Sequence, residues 1–146
     1  MHRKITLGAA ALTGLAALSF SLDMAIANPG GVPAVPLNNE QETADVATGA
    51  SGFFSWHVDG LQFCYTLESR NLAVPAVAAH VHVAPRNVNG PVVIGLATGS
   101  GTSWTVSACT TPSLEVLEAI KANPRAYYVN VHTSLHPGGE IRGQLK

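Results

Sequence analysis

The chain has 146 residues, with eight Lys and Arg against nine Asp and Glu and a formal net charge of −1 at pH 7. A charge set so sparse and balanced leaves no basic stripe for nucleic acid and no polybasic patch for a membrane surface. Once an N-terminal signal is set aside, the remaining length suits one domain and is too short for two.

The opening MHRKITLGAAALTGLAALSFSLDMAIANPGG has Arg3 and Lys4, then an apolar core from Ile5 to Leu22, then Ala25-Ile26-Ala27. That last tripeptide has the small-x-small form that signal peptidase accepts, so residues 1–27 are expected to be a removed secretory signal. The competing reading is an uncleaved anchor. Gly8, Gly14, the serines and Asp23 dilute the apolar stretch and argue against it. No later segment is apolar enough to span a bilayer, and the mature chain is expected in the periplasm or outside the cell. Residues 28–37, NPGGVPAVPL, carry three prolines and two glycines without periodicity. They are expected to form a flexible leader, with the packed domain at 38–146.

From there the chain breaks into short alternating runs separated by turn residues, the signature of an antiparallel sandwich or barrel. A first strand is expected at 43–50. In FFSWHVDGLQFCYTLE, Phe54, Trp56 and Val58 alternate, Asp59-Gly60 turns the chain, and Leu61, Phe63, Tyr65 and Leu67 alternate on the return, a hairpin signal. Further strands are expected at 76–83, 91–98, 103–108, 126–133 and 140–146. One helix interrupts them, from Thr111 as N-cap with Pro112 at the first helical position to Asn123, stopped by Pro124. Leu114, Leu117 and Ile120 form its apolar stripe, with Glu115 and Glu118 early and Lys121 late, as the helix dipole favours. The architecture expected is all-β, a Greek-key sandwich of seven or eight strands with one short inserted helix.

Cys64 and Cys109 are the two cysteines, and an exported chain with an even count is read most simply as having one disulfide between them. Both fall on the parity opposite to their strands' apolar residues, so the bridge is expected to clip a sheet face or edge.

His80 and His82 stand two apart on a strand and share a face, with Cα atoms about 6.8 Å apart. Val77, Ala79, Val81 and Val83 occupy the other face. The run AYYVNVHTS repeats the arrangement, placing Tyr128, Asn130 and His132 opposite Tyr127, Val129 and Val131. If these two strands are neighbours, His80, His82 and His132 can supply three nitrogens to copper or zinc and leave a position open. His136 and Glu140 follow closely enough to approach the same region, while His57 reads as surface-facing. The competing reading is that the rings only hydrogen-bond, fixing loops such as Asn89-Gly90-Pro91. No nucleophile elbow, phosphate-cradling loop or close carboxylate pair is present, and no enzymatic activity is expected.

Several separated stretches together resemble the chordin-type (CHRD) domain in its single-domain secreted bacterial form. They are AHVHVAPRNVNGPVV, the Leu/Ile helix, NPRAYYVNVHT and the terminal PGGEIRGQL, and the likeness spans Leu37 to Leu145. The resemblance implies an immunoglobulin-like or superoxide-dismutase-like sandwich and carries no general activity. Two functional readings follow. One is a non-enzymatic secreted or periplasmic binding or structural module for an unknown protein or extracellular ligand. The other is a copper- or zinc-binding protein with a superoxide-dismutase-like site.

Overall fold

The computed structural model describes residues 34–146. The expected signal at 1–27 and most of the expected leader lie outside the described residues. The strands are β1 (Val35–Asn38), β2 (Ser51–Asp59), β3 (Gln62–Arg70), β4 (Ala76–Val83), β5 (Val92–Leu96), β6 (Trp104–Thr110), β7 (Tyr127–Thr133) and β8 (Ile141–Gln144). One helix, α1 (Leu114–Ala122), lies between β6 and β7.

All eight strands form one antiparallel sheet in the order β5-β4-β7-β8-β1-β2-β3-β6. The ladder between β1 and β8 is a single pair, Asn38 with Arg142, so the sheet folds there into two four-stranded halves. Chain connections β3 to β4, β5 to β6 and β6 to β7 each cross between halves. The fold is all-β with one short helix, as expected, but the two sheets of the expected sandwich are one sheet bent over at this seam. The two halves meet across the core where Ala97 N–H, just after β5, donates to the hydroxyl of Tyr65 on β3 at 2.7 Å.

Alternation explains which side faces in. Val35 and Leu37, Phe54 and Trp56, Phe63, Tyr65 and Leu67, Ala79 and Val81, Val129 and Val131, and Ile141 all enter one core. Phe54, Trp56, Phe63 and Tyr65 pack with ring centroids 5.5 to 6.3 Å apart. Each such side chain, fully removed from water, contributes about 2 kcal/mol.

Three sequence expectations are corrected. Val35 and Leu37, assigned to the leader, are buried in β1, so the packed domain starts before residue 38. Pro36 is tolerated there because β1 makes no ladder to β8 at that residue. Residues 43–50 form no strand but an irregular segment: Thr43 bonds Asn89 and Thr48 bonds Glu140, the residue before β8, to which Asn39 of the preceding 3-10 turn also donates. The helix starts two residues later than expected. Ser113, not Thr111, is the N-cap, its hydroxyl accepting from Val116 N–H, and Pro112 stays outside the helix. Leu117 and Ile120 are buried as expected, whereas Leu114 is exposed.

The disulfide is present: Cys64 and Cys109 are directly opposed in the β3–β6 ladder, at the sheet edge. Among the described residues, no helix is long and apolar enough to cross a membrane.

Candidate functional site

The outer face of β4, β7 and β8 is not a solvated face. Segments 39–50, 84–91 and 134–140 cover it, so His82, Tyr128, Asn130, His132 and Arg142 are all buried there. Register brings the residues together: His82 pairs with Tyr128 and His80 with Asn130, while His132 stands one pair further along β7, opposite Ala78.

His80, His82 and His132 each present one ring nitrogen within 4.8 Å of the others. The shortest separation, 3.1 Å, runs from His80 Nδ1 to His132 Nε2. Two ligand nitrogens on a tetrahedral zinc, each at about 2.0–2.1 Å, lie roughly 3.3–3.4 Å apart, close to the His80–His132 separation and within the span of the set.

Backbone carbonyls fix two of the rings. His82 Nδ1 lies 2.8 Å from the Gly90 oxygen, and His132 Nδ1 lies 2.9 Å from the Pro137 oxygen. A carbonyl only accepts, so each Nδ1 carries the hydrogen and each neutral ring keeps a bare Nε2. His82 Nε2 is buried and has no hydrogen-bond partner. This is the outer-shell arrangement that orients histidine ligands in metal sites.

The electrostatics hold the rings neutral. Burial lowers the pKa of all three below the usual 6.5, and their mutual proximity lowers His80 and His132 further. For His82 the Gly90 carbonyl and Asn130 partly oppose burial, and Arg142 adds to it.

Behind the triad lies a polar layer in which sequence reading found Tyr128 and Asn130 but not Arg142 and Glu42. His82 stacks on Tyr128 with centroids 4.8 Å apart and planes 5° from parallel. From the β8 side, Arg142 places its guanidinium carbon 3.3 Å from the Tyr128 centroid. It also donates to Val88 O at 2.6 Å and Asn89 Oδ1 at 3.2 Å, holding the loop that carries Gly90. Glu42 is buried with its Oε1 unpaired, and burial pushes its carboxyl up to about 7 despite Arg142.

The other sequence candidates stand apart. Glu140 is fully buried but committed to Thr48, Ala73 N–H and Thr133. His136 enters only through its backbone, bonded with Thr133 and Gly139, and His57 is exposed on β2. Parity, which puts Tyr128, Asn130 and His132 on one strand face with two imidazoles from β4, also marks that face as buried, since the set is too rich in aromatic and hydrogen-bonding groups for a solvated surface.

The CHRD domain family model matches residues 34–145, whereas no curated protein and no solved structure gives a significant match. That match takes in every strand and the helix, and with them the three histidines and both cysteines: the chain belongs to the CHRD domain family.

Proposed function

We propose that this CHRD-domain protein is an exported, non-enzymatic binding module whose ligand is a copper or zinc ion held by His80, His82 and His132. The observation that carries the reading is the convergence of three neutral imidazoles, two of them locked by Gly90 and Pro137 with Nε2 bare. An all-nitrogen donor set suits either metal. With three protein ligands, a fourth position is left for water or a group on an extracellular partner. His80, the least buried of the three, lies on that open side. Export is supported by the Cys64–Cys109 disulfide, which persists in oxidising compartments, and by the signal-like N-terminus.

Equilibrium titration of the oxidised, metal-free protein with Zn(II) and with Cu(II) tests the proposal. One site per chain is expected for at least one metal, lost in both His82→Ala and His132→Ala while the far-ultraviolet dichroism stays that of a β protein. Failure of both metals to bind would leave the histidines as loop anchors and overturn the proposal, as would binding unchanged in both variants.

A further inference from the structure

The six Lys and Arg among the described residues divide sharply by environment. Arg70 pairs with Glu68 and Lys121 with Glu118, and Arg142 is buried against Tyr128. The remaining three, Arg86, Arg125 and Lys146, are exposed and form no ion pair among the described residues. All three line one pocket of about 530 Å³, beside β1 and the end of β8. Among the described residues, no Asp or Glu side chain lines it. Residues 28–34, which lead directly into β1, contain no acidic residue either.

The convergence is built by the fold. Arg86 belongs to the β4–β5 connection and Arg125 to the 3-10 turn before β7, segments distant in sequence. Gln144 of β8 ties them together: its Nε2 donates to Ala84 O at 3.0 Å and to Arg125 O at 2.7 Å. Val35 and Leu145 supply an apolar wall. Arg86 and Arg125 present two guanidinium groups to one cavity, and guanidinium groups match carboxylate and phosphate oxygens with paired hydrogen bonds.

We infer that this pocket binds a small anionic ligand, one bearing a carboxylate or a phosphate group. Its volume exceeds that of a bare oxyanion, and its mixed lining accommodates a polar body with an apolar face. The pocket shares no residue with the histidine triad, so this inference stands or falls independently of the metal proposal.

The test is a nuclear magnetic resonance titration of the full mature protein with glucuronate, inorganic phosphate and, as a neutral control, glucose. Saturable shifts at the side-chain Nε–H groups of Arg86 and Arg125 are expected with the charged probes and not with glucose. A response to glucuronate alone assigns a carboxylate ligand, and a response as strong to phosphate assigns a phosphate-bearing one. Arg125→Gln and Arg86→Gln should each weaken binding about tenfold, the loss of one charge-assisted contact, and added salt should weaken it further. Both positions are exposed, so the variants should keep the parent dichroism spectrum. The inference is overturned if neither charged probe gives a saturable shift, if glucose binds as well, or if binding survives the double variant.

Discussion

His80 Nδ1 lies 3.1 Å from His132 Nε2, and the second nitrogen of His132 is committed to the Pro137 carbonyl. His132 Nε2 is therefore a lone pair aimed at His80. Two lone pairs do not face each other at this distance without a cation between them, so in the metal-free protein His80 Nδ1 must carry a proton and donate it. Metal binding replaces that proton, and His80 is the ring whose tautomer changes.

The lowered pKa values set the pH dependence. Protons compete with metal only where the imidazoles titrate, and burial moves all three below 6.5. Metal affinity should be flat above pH 6.5 and fall steeply below it, in competition titrations spanning about pH 5 to 8. The metal-free fold follows the same sign: a depressed histidine pKa means that stability present above 6.5 is lost as pH falls through the folded value.

Glu42 acts in the opposite direction. Its carboxyl, raised from 4.5 to about 7 by burial, contributes stability that is complete below 4.5 and lost as pH rises through about 7. Arg142 offsets only part of the cost of ionising it. Glu42→Gln should therefore raise stability at pH 8 by about 2 kcal/mol and change little at pH 4, measured by denaturant unfolding. A variant less stable than the parent at pH 8 would show that the ionised carboxylate is well accommodated.

Gly90 has no room for a side chain: a Cβ there would collide with the Val83 carbonyl and lie 2.8 Å from Ala84 Cβ. Moving Gly90 also moves the oxygen that orients His82. Gly90→Ala should destabilise by about 2 kcal/mol and weaken metal binding as well, whereas a purely packing effect would leave affinity intact once folding is corrected for.

The disulfide joins residues 45 apart in sequence. Replacing Cys64 and Cys109 together by Ser should cost about 4 kcal/mol on the chain-entropy argument, read as a lower denaturation midpoint. The β3–β6 ladder surrounds the bridge on both sides and should keep the fold, so the dichroism spectrum should not change.

Much of this arrangement is legible in the sequence, where a period of two decides it. Parity alone separates Phe54, Trp56, Phe63, Tyr65 and Leu67 from the outer face, puts His80 and His82 together, and turns both cysteines outward. The misreadings arise where tertiary cover overrides local pattern. β1 is too short and too proline-rich to read as a strand, and only its partners define it. Residues 43–50 alternate well enough to suggest a strand, yet their hydrogen bonds go to Asn89 and Glu140 across the sheet. Arg142 and Glu42 look like surface residues because nothing local announces the loops that bury them. The positions of Gly90 and Pro137 as ring anchors depend on how those loops fold back, which spacing along the chain does not encode.

The central claim is that three specific nitrogens, His82 Nε2, His132 Nε2 and His80 Nδ1, form one metal site. Long-range proton–nitrogen correlation spectra of the imidazoles, recorded as Zn(II) is added to the metal-free protein, test it most directly. Before addition His82 and His132 should both show the tautomer protonated at Nδ1. At one equivalent the three named nitrogens should shift together, while His57 and His136 stay unchanged. The claim is contradicted if zinc binds and leaves the triad unshifted, or if it shifts only His57 and His136.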